Sequence, residues 1–158
     1  MSEVKLRRAE PADADAVAAC VQHAYARYEG QLARPPKPVL ADYTAVVQST
    51  LTWLLESTLG DNECVGVLVL VPQVDHLLLD NVAVEPAWQG RGLGKRLLEF
   101  AEGEAKRLGF SEVRLYTNAL MTENRALYAR VGYVEYERRD VDGRDTVFMR
   151  KRLSSAPA

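Results

Sequence analysis

The sequence predicts a mixed α/β fold: a single domain on a twisted, mostly antiparallel sheet of about seven strands, flanked by helices on both faces, in the order βααβββαβαββ. Three observations carry this reading. Short apolar or alternating runs recur along the chain, stretches of helical period separate them, and turn-forming residues stand between. A chain of 158 residues is enough for one core, burying about 68–70% of the unfolded surface, and too short for a second domain of ordinary size. The domain is expected over 1–153, with SSAPA at 154–158 as a frayed tail.

Each element has its own signal. Val4, Leu6 and Arg8 alternate as a first strand, and Pro11 with Asp13 opens an Ala-rich helix reaching about Tyr28. Gly30 to Pro38 holds three prolines and resists regular structure, after which Val39, Leu40, Tyr43, Val46 and Val47 recur at helical spacing. Leu51 to Leu55, Cys64 to Val71 and His76 to Val84 read as an antiparallel meander, divided by the turn compositions GDNE and PQVD. Leu93, Leu97, Leu98, Ala101, Ala105 and Leu108 mark one face of a long helix that Gly109 ends. Val113 to Tyr116 form a strand, Glu123 to Arg130 a helix stopped by Gly132, and Tyr133 to Arg138 and Thr146 to Arg150 the closing strands.

Composition excludes several partners. Hydrophobic residues make up 47% and charged residues 27%, the balance of a folded globular protein. The net charge of -2, from 20 Lys and Arg against 22 Asp and Glu, provides no global field for nucleic acid or anionic lipid, so neither is expected as a partner. The longest apolar run, Val65 to Val71, is broken by Gly66 and stopped by Pro72, well short of the roughly 20 residues of a membrane span. MSEVKLRR leads to Pro11 without the apolar stretch of a secretory signal, and a cytoplasmic location is expected. Cys20 and Cys64 form no C-x-x-C pair, and His23 and His76 are the two histidines; both thiols read as reduced core residues, and no metal is expected.

The sharpest feature is a buried strand, LLLDNVAV, leading through Glu85 to Trp88 into Gln89-Gly90-Arg91-Gly92-Leu93-Gly94 and a long helix. Alternate glycines before a helix let the backbone approach a ligand and aim unpaired N–H groups at one point, which attracts phosphate. A helix dipole adds only about 0.3–1 kcal/mol per anionic contact, so affinity must come from several N–H bonds together, helped by Arg91, Lys95 and Arg96. Two familiar phosphate loops fail here. A Walker A loop needs glycine where Gln89 stands and Ser or Thr where Arg96 stands, and the dinucleotide fingerprint needs glycine where Lys95 or Leu97 stands.

The same residues resemble the acyl-CoA signature of the GNAT superfamily of N-acetyltransferases, Gln or Arg-x-x-Gly-x-Gly or Ala. The resemblance continues through Asn124-Arg125-Ala126-Leu127-Tyr128 and Val131-Gly132-Tyr133, and the paired motifs stand at their usual separation over nearly the whole chain. It implies that Gln89, Gly90, Arg91, Gly92, Leu93, Gly94 and Lys95 hold the pyrophosphate of acetyl-CoA or a related short acyl-CoA. It also implies that the pantetheine arm lies between two splayed strands, those of Asp80 to Val84 and of Val113 to Tyr116, pairing with Val82, Ala83 and Val84 as an added strand would. A backbone N–H near Val82 would then serve the thioester oxyanion. Asn124 matches a pantetheine contact and is equally placed to cap a helix.

Tyr128 matches the family's hydroxyl facing the CoA sulfur, with a packed core tyrosine as the alternative. A phenol of pKa about 10 is a weaker acid than a thiol of about 8.5, so full proton transfer would be uphill by roughly 2 kcal/mol, and a hydrogen bond to the departing thiolate is the expected contribution. An acceptor amine of pKa about 10.4 pays near 4.6 kcal/mol to be neutral at pH 7, one of about 7.8 only about 1 kcal/mol. Asp80, which interrupts an apolar strand, is the candidate base or a structural carboxylate bonded to a loop; Glu29, Tyr116 and Asn118 are weaker acceptor-side candidates. Gln31 to Tyr43, including Arg34, Lys37 and Asp42, borders the expected acceptor pocket, and its mixed charges identify no strongly acidic or basic ligand. The expected function is acyl transfer to an amine by direct attack in a ternary complex, with no covalent acyl-enzyme; a non-catalytic acyl-CoA sensor is the rival, and a homodimer stays open as the assembly.

Overall fold

Leu68 and Leu70 point from one strand to one side of a sheet, Val67 and Val69 to the other, and all four are buried, so this strand needs cover on both faces. The computed structural model describes residues 3–32 and 35–154 and supplies that cover. Seven strands, β1 (Val4–Arg8), β2 (Leu51–Ser57), β3 (Cys64–Pro72), β4 (Leu77–Val84), β5 (Glu112–Asn118), β6 (Val134–Val141) and β7 (Arg144–Arg152), form one sheet in the order 1-2-3-4-5-7-6. Every neighbouring pair is antiparallel except β4 and β5. The expected mixed, mostly antiparallel sheet is the one found.

Helices α1 (Ala14–Tyr25), α2 (Lys37–Leu40) and α3 (Tyr43–Ser49) join β1 to β2. Val17, Cys20 and Val21 of α1 and Tyr43 and Val47 of α3 pack on Leu54, Val67, Val69 and Ala83. The opposite face is covered by α4 (Leu93–Arg107) and α5 (Thr122–Arg130): Leu97, Leu98, Ala101 and Ala105 meet Leu68, Leu77, Leu79, Val113 and Leu115, and Tyr128 joins them. Asp42 caps α3 through its carboxylate on the Thr44 and Ala45 amides.

Some expectations need adjustment. The first helix ends at Tyr25 and tightens into a 3-10 turn over Ala26–Tyr28 rather than continuing as α-helix. The proline-rich segment, expected to be irregular to Pro38, contains one helical turn from Lys37, because Pro38 sits near the start of α2 where its missing N–H costs nothing. The last two strands run longer than their apolar residues, since Gly143 in a tight turn lets the hairpin pair to Val141 and Arg144. Cys20 and Cys64 are free thiols brought together from α1 and β3; hydrogen bonding from Cys64 and then burial push the Cys20 thiol up, and Cys64 is only half-buried. From Ser155 on, the tail lies outside the described residues, as does Arg34. No helix among the described residues is long and apolar enough to cross a membrane.

Leu97 is fully buried between α4 and the sheet. Leu97→Ala is expected to lower the unfolding free energy by about 2–5 kcal/mol, read as a shifted urea midpoint.

Candidate active site

The pairing of β4 with β5 is short. Leu77, Leu78 and Leu79 face Val113, Arg114 and Leu115, and no pair follows. On its other edge β4 stays with β3, but the register jumps from Leu70 opposite Leu79 to Val69 opposite Asn81, so Asp80 is an extra residue, a β-bulge. A bulge bends its strand, and here the bend coincides with the parting of β4 from β5.

Backbone direction past the bulge follows from one bond. Glu85 N–H donates to the Val65 carbonyl on β3, and groups alternate along a strand, so the N–H and C=O of Val82 and Val84 face the gap toward β5 while those of Ala83 face β3. The Gln89 amide nitrogen donates to the Val84 carbonyl at 3.1 Å, tying the glycine turn to the end of β4.

That turn has the conformation its residues predict. Gly92 stands at the N-cap of α4 with φ 78° and offers no side-chain cap, and Gly90 has φ 81°. Both values lie in the left-handed region, and a Cβ at either position would meet open space. The first α4 bond runs from Arg96 N–H to the Gly92 carbonyl at 3.0 Å, which leaves the N–H groups of Leu93, Gly94 and Lys95 without an intrahelical acceptor. Gly94 has a packing role, since its Cβ would approach the Leu127 side chain of α5 at 3.3 Å.

Two clefts open at the gap. One runs over the glycine turn and gathers Val82, Ala83, Val84, Gln89, Gly90, Gly92, Leu93, Gly94, Lys95, Asn124 and Tyr128, nearly all of the residues expected at the cofactor. Arg91 is the exception: its guanidinium lies 4.6 Å over the Trp88 ring and pairs with Glu3 at 3.1 Å, away from the cleft wall. Asn124 stands inside α5, whose cap position is Met121, so the structure does not make it a cap. Sequence reasoning missed Arg27, Tyr28 and Arg130 on the same wall; Arg27 reaches from the end of α1 to Glu123 at 2.8 Å and to the Tyr28 hydroxyl at 2.8 Å. Their isolated positions carry no motif that could have revealed them.

The second cleft lies on the other side of the parting and holds Asp80, Asn81, Tyr116, Asn118 and Phe148. Asp80 is half-buried and accepts the Tyr116 hydroxyl at 2.7 Å, so its partner is on β5 and not in a loop. Burial and the neighbouring Asp80 charge hold the Tyr116 phenol well above its ordinary range. Glu29 lines a different cavity, beside Leu32 and Val39, and is removed from Asp80. Asn81, overlooked beside Asp80, is buried and joins three elements: its carbonyl accepts from Tyr25 at 3.0 Å and its amide donates to Tyr43 at 3.3 Å, while Tyr43 donates to the Pro38 carbonyl at 2.6 Å. A polar residue in an apolar strand was its only signal.

Three residues, Tyr25, Val82 and Tyr128, line both clefts and so mark where they meet. Tyr128 is 5% exposed, and burial followed by the nearby Tyr28 holds its phenol well above the ordinary range. Its ring meets Tyr133 edge-on at 6.1 Å, and no hydrogen bond engages its hydroxyl among the described residues. No group of acidic, His and Cys side chains that could hold a metal occurs among the described residues.

The sheet is seven-stranded and mixed, and its one parallel pair splays beside the glycine turn. A model of the acetyltransferase (GNAT) family matches residues 17–133, and the chain belongs to that family. It is 26% identical over 135 residues to the IAA acetyltransferase of Azospirillum brasilense, covering 85% of this chain and 87% of that protein. Among solved structures it is similar to the ribosomal-protein-S18-alanine N-acetyltransferase of Escherichia coli (TM-score 0.76, 24% identity, 98% of this chain and 96% of that one). It is also similar to the PaiA N-acetyltransferase of Thermoplasma acidophilum, solved with coenzyme A (TM-score 0.74, 21% identity, 97% and 100%).

Asn81→Ala removes the acceptor of the Tyr25 hydroxyl and a donor to Tyr43. A loss of about 1–3 kcal/mol in urea unfolding is expected, and an unchanged midpoint would show that the amide holds nothing in place.

Proposed function

We propose that this acetyltransferase moves an acetyl or other short acyl group from acyl-CoA to an amine, by direct attack while both substrates are bound. The observation that carries this is the junction of two clefts at Tyr25, Val82 and Tyr128, on the line where β4 leaves β5. Donor and acceptor entering from opposite sides would meet there without an intermediate carrier. Family membership and the relatives solved with CoA support the donor; the donor groups of the turn agree with it chemically.

In this reading the open N–H groups of the first α4 turn, the space beside Gly90 and Gly92, and the Lys95 and Arg130 side chains receive the diphosphate. The gap-facing groups of Val82 and Val84 pair with the amides of the pantetheine arm, Ala83 packs beneath, and Asn124 contacts the arm from α5. The Val82 N–H is the donor to negative charge developing on the thioester oxygen. A backbone donor fixed by the bulge needs no rearrangement as that charge grows.

Tyr128 donates a hydrogen bond to the departing thiolate. Burial makes it a weaker acid than in water, which favours a retained O–H over complete proton transfer, and the unengaged hydroxyl is available for the bond. Asp80 takes a proton from the bound ammonium, directly or through water, so that the neutral amine attacks, with Tyr116 fixing the carboxylate. Arg91 acts through packing on Trp88 rather than on phosphate.

Two variants test the parts separately. Gly92→Glu imposes a side chain at φ 78° and a negative charge at the diphosphate position, and CoA binding is expected to disappear in calorimetry while circular dichroism stays native. Retained affinity would remove the turn from binding. Tyr128→Phe is expected to lower turnover about tenfold or more with acyl-CoA affinity within about twofold. Because the Tyr128 phenol is held above its usual range, the wild-type rate is expected to persist as pH rises through about 10, where an ordinary tyrosine ionises. A wild-type decline there, absent from Tyr128→Phe, would show that the phenol ionises in its ordinary range instead of being held above it. A chain that binds acetyl-CoA but frees no thiol faster than buffer with any amine would be a sensor instead.

A further inference from the structure

The cleft on the Asp80 side carries charges of both signs, and this points to what the acceptor carries besides its amine. On β4, Asp80 supplies a carboxylate two residues from Val82 at the junction with the donor cleft. Leu79, Met121, Tyr116 and Phe148 add apolar lining to the cleft. Its outer wall comes from two segments that take no part in the donor cleft: Pro36 to Pro38 on one side and the end of the β6–β7 hairpin on the other. The Arg144 Nε donates to the Pro35 carbonyl at 3.1 Å, so the two segments meet over the mouth.

Three cations stand on that outer wall. Arg139 is already engaged, with Glu137 at 3.4 Å and over the Phe148 ring at 4.7 Å. Arg144 gives Nε to a backbone carbonyl, and its two terminal nitrogens have no partner among the described residues. Lys37 has neither an ion pair nor a hydrogen bond among them. Asp142, in the hairpin turn, is the one acid on this wall and has an interaction of its own. Two unengaged cations converging from different segments on one mouth repel each other unless an anion is placed between them. A guanidinium with its terminal nitrogens free is suited to a carboxylate.

We infer that the acceptor is a small zwitterionic amine, with the amine directed to Asp80 at the junction, an apolar spacer against Tyr116 and Phe148, and an anionic group held at the mouth by Arg144 and Lys37. This rests on the acyl-transfer reading and adds to it the class of acceptor. A few charged groups of both signs on a cleft with apolar lining fix a ligand's orientation, so a ligand of one charge would satisfy only some of them. The bound ammonium gives one proton to Asp80 or its water, the neutral amine adds to the thioester carbonyl, and as the C–S bond breaks the second nitrogen proton passes through water to the departing thiolate, which leaves as the CoA thiol.

The test is thiol release by the purified full chain with matched amines that differ only in the carboxylate: aminohexanoate against hexylamine, and aminomethylbenzoate against benzylamine. The carboxylate member of each pair is expected to have a kcat/KM about tenfold higher or more at low ionic strength, a preference that shrinks with added salt. Arg144→Gln and Lys37→Gln are each expected to lower kcat/KM for the carboxylate member about fivefold more than for its neutral partner, and Arg144→Lys to keep most of the preference. Equal or better use of the neutral amines, or variants that slow both members alike, would overturn the inference. Turnover of no amine in the panel would overturn it too; calorimetry of acetyl-CoA on the same preparation, with Gly92→Glu as control, then tells whether the donor reading has failed with it.

Discussion

The parting of β4 from β5 is the constraint on which the rest of the molecule depends. A parallel pair inside a sheet ordinarily continues until one strand ends, since unpaired N–H and C=O groups are costly to bury. Here the pair stops after Leu79 although both strands run on, to Val84 and to Asn118. β4 keeps its ladder with β3 and β5 keeps its ladder with β7 along its length, so each strand is held from its outer side while the inner edges diverge. The sheet therefore aims backbone groups into the gap, where Gln89 takes the Val84 carbonyl, and the residues of both clefts are placed around that gap.

Helix α4 answers to the same geometry. Its apolar face, with Leu97, Leu98, Ala101 and Ala105 almost wholly buried, locks it against the sheet, and this anchoring fixes where its first turn points. The N–H groups at that turn cannot be satisfied from within the helix, and glycine at the cap leaves them uncovered. Burial at one end of the element and exposed polarity at the other are therefore two consequences of one docking. Asn81 does the equivalent on the opposite face, with one amide linking the tyrosines of α1 and α3 to the bulge, so that Tyr25 reaches the junction from a helix packed elsewhere.

Much of this was legible in the sequence because it rests on local rules. Alternation in LLLDNVAV, the helical period from Leu93 to Leu108, and glycines at 90, 92 and 94 each specify their own backbone, and the order of elements then constrains the sheet. What was hidden depends on contacts between distant segments. Arg91 stands between two glycines, and its contacts with the Trp88 ring and the Glu3 carboxylate come from tertiary placement that the motif does not encode. Arg27 and Arg130 reach one cleft from two helices, and Asp80 meets Tyr116 across a gap of 36 positions, which no spacing rule encodes. The bulge was equally invisible, because an extra residue in a strand leaves no mark until its partner is known.

The bond from Arg144 to the Pro35 carbonyl joins residues 109 positions apart, and both flanking segments lie apart from the wall that faces the glycine turn. Exposed side chains of either segment can therefore be recharged without replacing any residue that lines the cleft over the glycine turn. Selection on that cleft would act on a few exposed loop and hairpin positions, where most substitutions cost little stability, so that its lining is an evolvable property.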